Sequence, residues 1–216
     1  MPISRDRILY EDDFLLAVNK LSGELVVKGS GKLEKLPLLD FLKKEYPGLR
    51  PLHRLDFETS GIVLFAKNKE VYEKVIEQKF AGWKKVYRAL VLGRINSAGE
   101  EITIPLPSRG SKEKIPATTK YRVLQRFTHV TDVEAEIESG RHHQIRRHFA
   151  AIKHPLILDE EYGDRKLNRL FTREMKFRRF FLHASRMEFP HPITGKLTTI
   201  DSSLPKLFME VRKKLI

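Results

Sequence analysis

The chain of 216 residues contains no cysteine. This excludes a disulfide framework, cysteine-ligated zinc, iron–sulfur clusters and thiol nucleophiles. The sequence also lacks a run of eighteen apolar residues and a cationic leader followed by an apolar segment. We therefore expect a soluble protein of the cytoplasm that neither spans a membrane nor is secreted.

Motifs of cofactor chemistry are missing as well. There is no Gly-x-Gly-x-x-Gly, no Gly-Lys-Ser/Thr phosphate loop and no Gly-x-Ser-x-Gly elbow. The eight histidines do not form a helical zinc pair, because His143, His148 and His154 lie five and six residues apart rather than four. The histidine spacing therefore disfavours metal catalysis, and dinucleotide, ATP and acyl-transfer chemistry have no local support in the sequence.

The sequence has fewer acidic than basic residues. Lysine and arginine number 41 against 28 for aspartate and glutamate, which gives a net charge of +13. Such an excess indicates a polyanionic partner, and nucleic acid is favoured because no long basic amphipathic helix for a membrane surface stands apart. The alternative is a basic protein that binds no polyanion.

Short strand-like and helix-like segments alternate along the chain. Two strands are predicted within 8–19, and further strands over 62–66, 86–92, 101–106, 118–127, 129–137 and 180–189. Helices are predicted over 36–46, 68–80 with Asn68 as N-cap, 142–152, 165–175 and 204–215. This predicts an α/β (α+β) fold with a mixed, largely antiparallel sheet flanked by helices, in a single domain over 1–216.

The first candidate for chemistry is the loop 51–61, which precedes a predicted buried strand. It holds His53, Arg54, Asp56 and Glu58. Loops that lead into a rigid strand often carry catalytic groups, and a nearby cation keeps a catalytic carboxylate ionised. The alternative is that Asp56 caps the turn at Thr59 or Ser60.

The second candidate is the segment 140–149. On a helical projection Arg146 lies at the flank of the apolar stripe and Arg147 nearly opposite, so Arg146 is predicted to be partly buried and Arg147 to face solvent or phosphate. A partly buried arginine needs a carboxylate, and Asp56 is one candidate. Pairing with Glu136 or Glu138, or capping its own sheet, are the alternatives.

A third segment, 107–116, places Arg109, Lys112 and Lys114 among serine and glycine. It is predicted to be either a mobile basic loop or an ordinary solvated hairpin tip.

The residues of 53–61 resemble the His-Arg-Leu-Asp-x-x-Thr-Ser-Gly signature of RluA-type pseudouridine synthases. The resemblance continues through Lys85-Val86-Tyr87-Arg88-Ala89, 140–146, Tyr162-Gly163-Asp164 and 182–184 to His191-Pro192-x-Thr194-Gly195, and so covers nearly the whole chain. A few residues near Arg146 and Asn168 look most like the TruC-like subgroup, which modifies tRNA.

The resemblance implies an enzyme that isomerises uridine in structured RNA, tRNA or large-subunit ribosomal RNA. Asp56 would be the catalytic aspartate, Tyr87 would stack on the flipped base, and Arg146 would pair with the aspartate. It further implies a central RNA-binding cleft, no metal or cofactor, and no N-terminal accessory domain; we expect a monomer. RNA contacts are expected from His53, Arg54, Arg109, Lys112, Lys114, Arg141 and Arg147.

The chain departs from the family pattern at Leu21, Lys28, Phe57 and Leu158, where proline, histidine, a basic residue and glycine are common. Phe57 and Lys28 are expected to border the cleft, so these two departures leave the choice of substrate open. The rival hypothesis is a non-catalytic RNA-binding or assembly factor on the same fold, but binding alone would not require Asp56, Tyr87 and Arg146 together. A metal nuclease lacks a suitable carboxylate cluster.

Overall fold

The computed structural model describes residues 3–28, 36–108 and 113–215, except for the side chain of Met175. The chain divides into two compact units, Met1–Lys84 with Ala184–Ser203, and Lys85–His183 with Leu204–Ile216. The single domain over 1–216 stays a prediction. Among the described residues, no helix combines the length and apolar character needed to cross a bilayer.

Strands make up most of the regular structure. In chain order they are β1 (Ile8–Glu11), β2 (Leu15–Lys20), β3 (Arg50–Pro51), β4 (Ser60–Ala66), β5 (Lys84–Leu92), β6 (Gly99–Thr103), β7 (Leu106–Pro107), β8 (Lys114–Ile115), β9 (Thr118–Arg126), β10 (Val130–Ile137), β11 (Leu182–Pro190) and β12 (Leu197–Asp201). The helices are a short 3₁₀ turn (Arg5–Arg7), α1 (Leu38–Leu42), α2 (Lys69–Glu77), α3 (Gln144–Ala151), α4 (Arg165–Met175) and α5 (Lys206–Lys214).

The first unit is built around strands β2 and β4. They pair antiparallel from Leu15 opposite Ala66 to Lys20 opposite Gly61, and every residue of β4 is buried. This agrees with the continuous apolar runs in both strands, which lack the alternation of a sheet with one face in solvent. β1 pairs with β2, and β12 pairs with β11.

The second unit contains an antiparallel arrangement of strands in the order β5-β10-β9-β6. Its core joins Leu90 and Val130 of the sheet to Phe208 and Val211 of α5, and Phe171 of α4 packs against the same cluster. The fold-class prediction, a mixed and mostly antiparallel α+β protein, is confirmed.

Two predicted helices are shorter than expected. α1 begins after Pro37, because Leu36 precedes a proline and such a residue disfavours the helical conformation. It ends at Leu42, and turns follow in which the N–H groups of Lys44 and Glu45 donate to the carbonyls three residues before them. α2 ends at Glu77, and the positive φ angles of Lys79 and Phe80 follow. The N-cap prediction is confirmed, since the Asn68 side chain accepts a hydrogen bond from the Val71 N–H.

The two ends of the basic segment 107–116 belong to a pair of antiparallel strands. Leu106 pairs with Ile115 and Pro107 with Lys114 across β7 and β8. The stem is thus paired as in a hairpin, and the choice between a mobile loop and a solvated tip stays a prediction. Arg109 and Lys112 lie outside the described residues.

Candidate active site

The loop that carries Asp56 connects β3 to β4 and is anchored at both ends. On the β3 side, the Leu52 N–H donates to the Leu64 carbonyl, and the Leu64 N–H donates to Nε2 of His53 at 3.1 Å. A neutral His53 ring therefore carries its proton on Nδ1. Asp56 itself is half-buried and Arg54 is exposed.

Lys20, the last residue of β2, holds the far side of the same loop. Its side chain is fully buried, and its ammonium donates to the carbonyls of Leu21 (3.1 Å), Phe57 (3.1 Å) and Thr59 (2.5 Å). The Gly23 N–H also donates to the Phe57 carbonyl at 2.7 Å. An ammonium has three N–H donors, so these carbonyls satisfy it and fix the backbone on the C-terminal side of Asp56.

Gly61, the last residue of the signature, lies where β4 runs against β11. Its φ is +109°, and a Cβ built on it would lie 2.2 Å from the Ala184 carbonyl oxygen. No other residue fits this position without a shift of backbone, which gives a physical reason for glycine after Thr59 and Ser60.

Arg146 on α3 is buried and makes a two-pronged ion pair. Its Nε and Nη2 donate to the carboxylate of the fully buried Asp159 at 2.7 and 2.8 Å, and Nη2 also reaches Glu161 at 3.2 Å. Asp159 in turn accepts the backbone N–H groups of Glu161 and Tyr162. A parallel guanidinium–carboxylate fork of this kind fixes the orientation of the arginine as well as its position.

Aromatic rings and a second arginine surround this guanidinium. The Arg146 guanidinium carbon lies 4.9 Å from the ring centre of Tyr162 and 4.6 Å from that of Phe180. Arg147 also lies over Tyr162, and its Nε donates to the Tyr162 hydroxyl at 3.0 Å. Partial burial, together with the hydrogen bond to Glu161, raises the pKa of Tyr162 despite the nearby Arg147.

Glu161 completes the cluster. Partial burial acts to raise its pKa, but the hydrogen bond from Tyr162 and the charges of His143 and Arg146 outweigh burial, so the pKa of Glu161 is lowered. The Nδ1 atom of His143 lies 3.3 Å from this carboxylate. The cluster thus keeps a carboxylate ionised beside a buried guanidinium.

The start of α3 is held by a buried amide. Gln144 accepts hydrogen bonds from the Ser139 hydroxyl and the Arg141 N–H, and its Nε2 donates to the Thr118 carbonyl. His143, at the N-cap, has a left-handed backbone with φ of 53°. These contacts lock the segment before Arg146 against β9.

The predicted site residues are distributed over both units. Asp56 belongs to the first unit, and Tyr87 on β5 and Arg146 on α3 belong to the second. Tyr87 is buried, opposite Ala135 of β10. Arg141 and Lys114 are exposed, Arg147 is half-buried, and the Nε2 of His53 accepts a backbone N–H. Their contacts with RNA stay predictions.

Four residues that matter here were not assigned a role from the sequence: Lys20, Asp159, Glu161 and Tyr162. The sequence did not identify Asp159 or Glu161 as carboxylates that pair with Arg146. A signal was present for Asp159, because it directly follows the apolar run Leu156-Ile157-Leu158 and a carboxylate at such a place has to be satisfied. In the part of the chain that the structure describes, no His, Asp and Glu side chains group to hold a metal ion.

Comparisons with known proteins agree on one family. Residues 14–151 match the family described as RNA pseudouridylate synthase. The chain is 36% identical over 223 residues to ribosomal large subunit pseudouridine synthase C of Escherichia coli strain K12, covering 97% of this chain and 70% of that protein. The Vibrio parahaemolyticus protein of the same name is 34% identical over 219 residues, covering 95% and 69%.

A solved structure supports the fold. Human RNA Pseudouridylate Synthase Domain Containing 4 superposes with a TM-score of 0.80 at 23% identity, covering 97% of this chain and 93% of that one. Together the matches define the class as an RNA-modifying enzyme. The chain belongs to the RNA pseudouridylate synthase family and is of its RluA type. The predicted activity, isomerisation of uridine to pseudouridine in RNA, is thereby confirmed.

Proposed function

We propose that the substrate is large-subunit ribosomal RNA and that Asp56 is the catalytic carboxylate. The observation that carries the substrate is the 36% identity, over 97% of the chain, to a relative named for that RNA. The proposal for Asp56 rests on the signature 53–61 and on the anchoring of its loop by Lys20.

The reaction needs positioning more than it needs a cofactor. The N1–C1′ bond of uridine breaks, the uracil turns, and C5 bonds to C1′; C5 loses its hydrogen and N1 gains one, so mass is unchanged. Asp56 would either attack C1′ or remove a ribose proton. Both roles require a carboxylate held at one place, because an ångström of misplacement is costly in rate.

Tyr87 and Arg146 are proposed to act on the same uridine. A uridine that leaves its stack needs a new aromatic face, and a tyrosine can supply it. Arg146 is proposed as the cationic partner that keeps the catalytic carboxylate ionised. Its bidentate bond to Asp159 supports this role, because it gives the guanidinium one fixed orientation.

The Asp56→Asn variant tests the catalytic role. The amide keeps a carbonyl oxygen for any turn hydrogen bond but is a far poorer nucleophile or base. We expect folding and RNA affinity to persist while tritium release from C5-labelled uridine in ribosomal RNA falls at least about 100-fold. The control is Asp13→Asn, an exposed aspartate, which should release tritium at the wild-type rate.

Equal rates for Asp56→Asn and wild type would refute the role of Asp56. The substrate is tested separately, by mapping pseudouridine in total RNA with and without the gene. Loss of pseudouridine from large-subunit ribosomal RNA supports the proposal, and loss from tRNA alone would favour the TruC-like hypothesis. If RNA is bound but no uridine is isomerised, the protein is the non-catalytic binding factor.

A further inference from the structure

Helix α4 carries an arginine face that the proposed chemistry does not use. Arg165, Arg169 and Arg173 follow one another at intervals of four residues and are all exposed. With Arg178, Asn168, Thr172 and Glu160 they line one surface groove of about 520 Å³. Four arginines and one glutamate make this groove strongly positive.

Most of these arginines have no carboxylate partner among the described residues. Among the residues that the structure describes, no carboxylate lies within ion-pair distance of Arg165, Arg169 or Arg178. Arg173 forms an ion pair with its exposed neighbour Glu174, at 3.2 Å. An exposed pair between adjacent residues contributes little.

Helix stability does not explain the arrangement. Arg165 and Lys166 occupy the first turn, where the helix dipole disfavours cations, and like charges four residues apart repel each other. The helix forms because Asp164 caps it, with Oδ1 accepting the N–H groups of Lys166 and Leu167, and because Phe171 packs into the core. A local conflict of this kind is expected where a surface serves a partner.

The groove is connected to the Arg146 cluster. Asn168, which lines it, accepts the Leu158 N–H through Oδ1 and donates through Nδ2 to the Asp159 carbonyl, both at 2.8 Å. Glu160 lies between Asp159 and Glu161, which both pair with Arg146. A polyanion in the groove would therefore lie beside the turn that orients Arg146.

We propose that the arginine face of α4, defined by Arg165, Arg169, Arg173 and Arg178, binds the phosphate backbone of the substrate RNA away from the reacting uridine. The inference rests on the proposed function, since it takes RNA as substrate. The guanidinium fork matches phosphate oxygens, and one step of four helical residues advances about 6 Å, so successive arginines can meet successive phosphates of one strand.

The test is the triple variant Arg165→Gln/Arg169→Gln/Arg173→Gln. We expect its affinity for a large ribosomal RNA fragment to fall at least about tenfold, and the salt slope to become shallower by about 2, since each lost phosphate contact contributes roughly 0.7–0.9. KM should rise while kcat at saturation stays near wild type. Removing mutual repulsion should leave the melting temperature unchanged or higher, so a loss of binding cannot be ascribed to unfolding.

Three matched variants test whether the effect depends on the position and the charge of these arginines. Lys206→Gln/Lys213→Gln/Lys214→Gln removes three exposed cations of α5, outside the groove, and should change affinity less than twofold. Arg165→Lys/Arg169→Lys/Arg173→Lys keeps the charge and should recover most of the affinity. Glu160→Gln removes the carboxylate that lines the groove and should strengthen binding by roughly two- to fivefold.

An unchanged affinity and salt slope in the arginine variant, or an equal loss in the α5 control, would overturn the inference. If the wild type releases tritium and the arginine variant binds RNA as tightly as the wild type, only the role of the groove is rejected. If the wild type binds RNA but isomerises no uridine, and the arginine variant loses that binding, only the proposed function is rejected.

Discussion

At the scale of single residues, Lys20 holds the loop that carries Asp56 by hydrogen bonds. Its ammonium donates to three carbonyls, two of them in Phe57 and Thr59, one and three residues after Asp56. Burial of an ammonium is costly, and bonds to a charged donor contribute about 1.5–3 kcal/mol each, so the two effects oppose one another. The net effect on stability is therefore smaller than the effect on the geometry of the loop.

Lys20→Met separates these effects. We expect the free energy of unfolding to fall by about 1–4 kcal/mol, because the carbonyls of Leu21, Phe57 and Thr59 lose their donor. Activity should fall more, at least about tenfold in kcat, because the loop loses its anchor. Urea unfolding and tritium release measure the two. Lys44→Met, at an exposed position, is the control, and wild-type kcat in Lys20→Met would contradict the positioning role.

Leu158 is a second residue where two effects compete. Its φ is +65°, in the left-handed region that favours glycine. Yet its side chain is buried in the core of Leu90, Val130 and Phe208. The strain costs about 1–2 kcal/mol, whereas removal of a buried leucine side chain costs about 2–5 kcal/mol.

Leu158→Gly should therefore be less stable than wild type, by about 1–3 kcal/mol. Leu158→Ala should be less stable still, because alanine loses the packing and keeps the strain. Chemical denaturation of the three proteins gives the order. A glycine variant more stable than wild type would mean that strain outweighs packing at this position.

The burial of Arg146 could be predicted from the sequence, but its partner Asp159 could not. The helical projection predicted a partly buried Arg146 that needs a carboxylate, and the structure confirms both features. It could not identify Asp159, because the pairing depends on a turn at 158–163 stabilised by Asn168 and by backbone N–H groups. The pair of Arg146 with Asp56 stays a prediction.

At the scale of elements, the close approach of β4 and β11 depends on one glycine. A Cβ on Gly61 would lie 2.2 Å from the Ala184 carbonyl oxygen and 2.7 Å from its nitrogen. Gly195 also has a positive φ, of 70°, but nothing lies within 4 Å of its Cβ position. The two positions share the conformational strain and differ in the clash.

Gly61→Ala should lower the free energy of unfolding by more than about 4 kcal/mol or leave the protein insoluble, because strand backbone would have to move. Gly195→Ala should cost only the strain, about 1–2 kcal/mol. Urea unfolding and soluble yield measure both variants. Similar values for the two would show that β4 and β11 separate at little cost.

Elements with strong local signals were predicted well. The bounds of α4 agree with the prediction over 165–175, because Asp164 caps the helix and few residues inside it disfavour helix. β3 and β12 were not predicted. β3 has two residues, and Leu197–Asp201 pairs along β11 with a largely exposed pattern that resembles a loop. Such strands form because they pair with a neighbouring strand, and their own sequences have no strong strand signal.

At the scale of the whole molecule, the net charge of +13 is not spread evenly. Several cations are used internally: Arg88 and Arg212 both pair with the fully buried Asp132, and Arg146 pairs with Asp159. The exposed cations of α4 are not neutralised in this way. The chain therefore separates structural arginines from those available to a polyanion.

This distribution predicts binding that depends steeply on salt. If at least four phosphates are contacted, each contributing roughly 0.7 to the slope, log affinity should fall with log salt at about −3 or steeper. Affinity for a ribosomal RNA fragment should then drop at least about 50-fold between 50 and 200 mM salt. Filter binding or fluorescence anisotropy across that range measures the slope.

Duplex DNA of matched sequence is the control for this measurement. It carries at least as much backbone charge but keeps its bases stacked and paired, and base-reading RNA proteins prefer single strands and loops. We therefore expect it to bind more weakly than the RNA at every salt concentration. A salt-insensitive RNA affinity would contradict the phosphate contacts. Equal affinity for duplex DNA would mean that charge alone governs binding, and that Tyr87 does not serve as a base-stacking face.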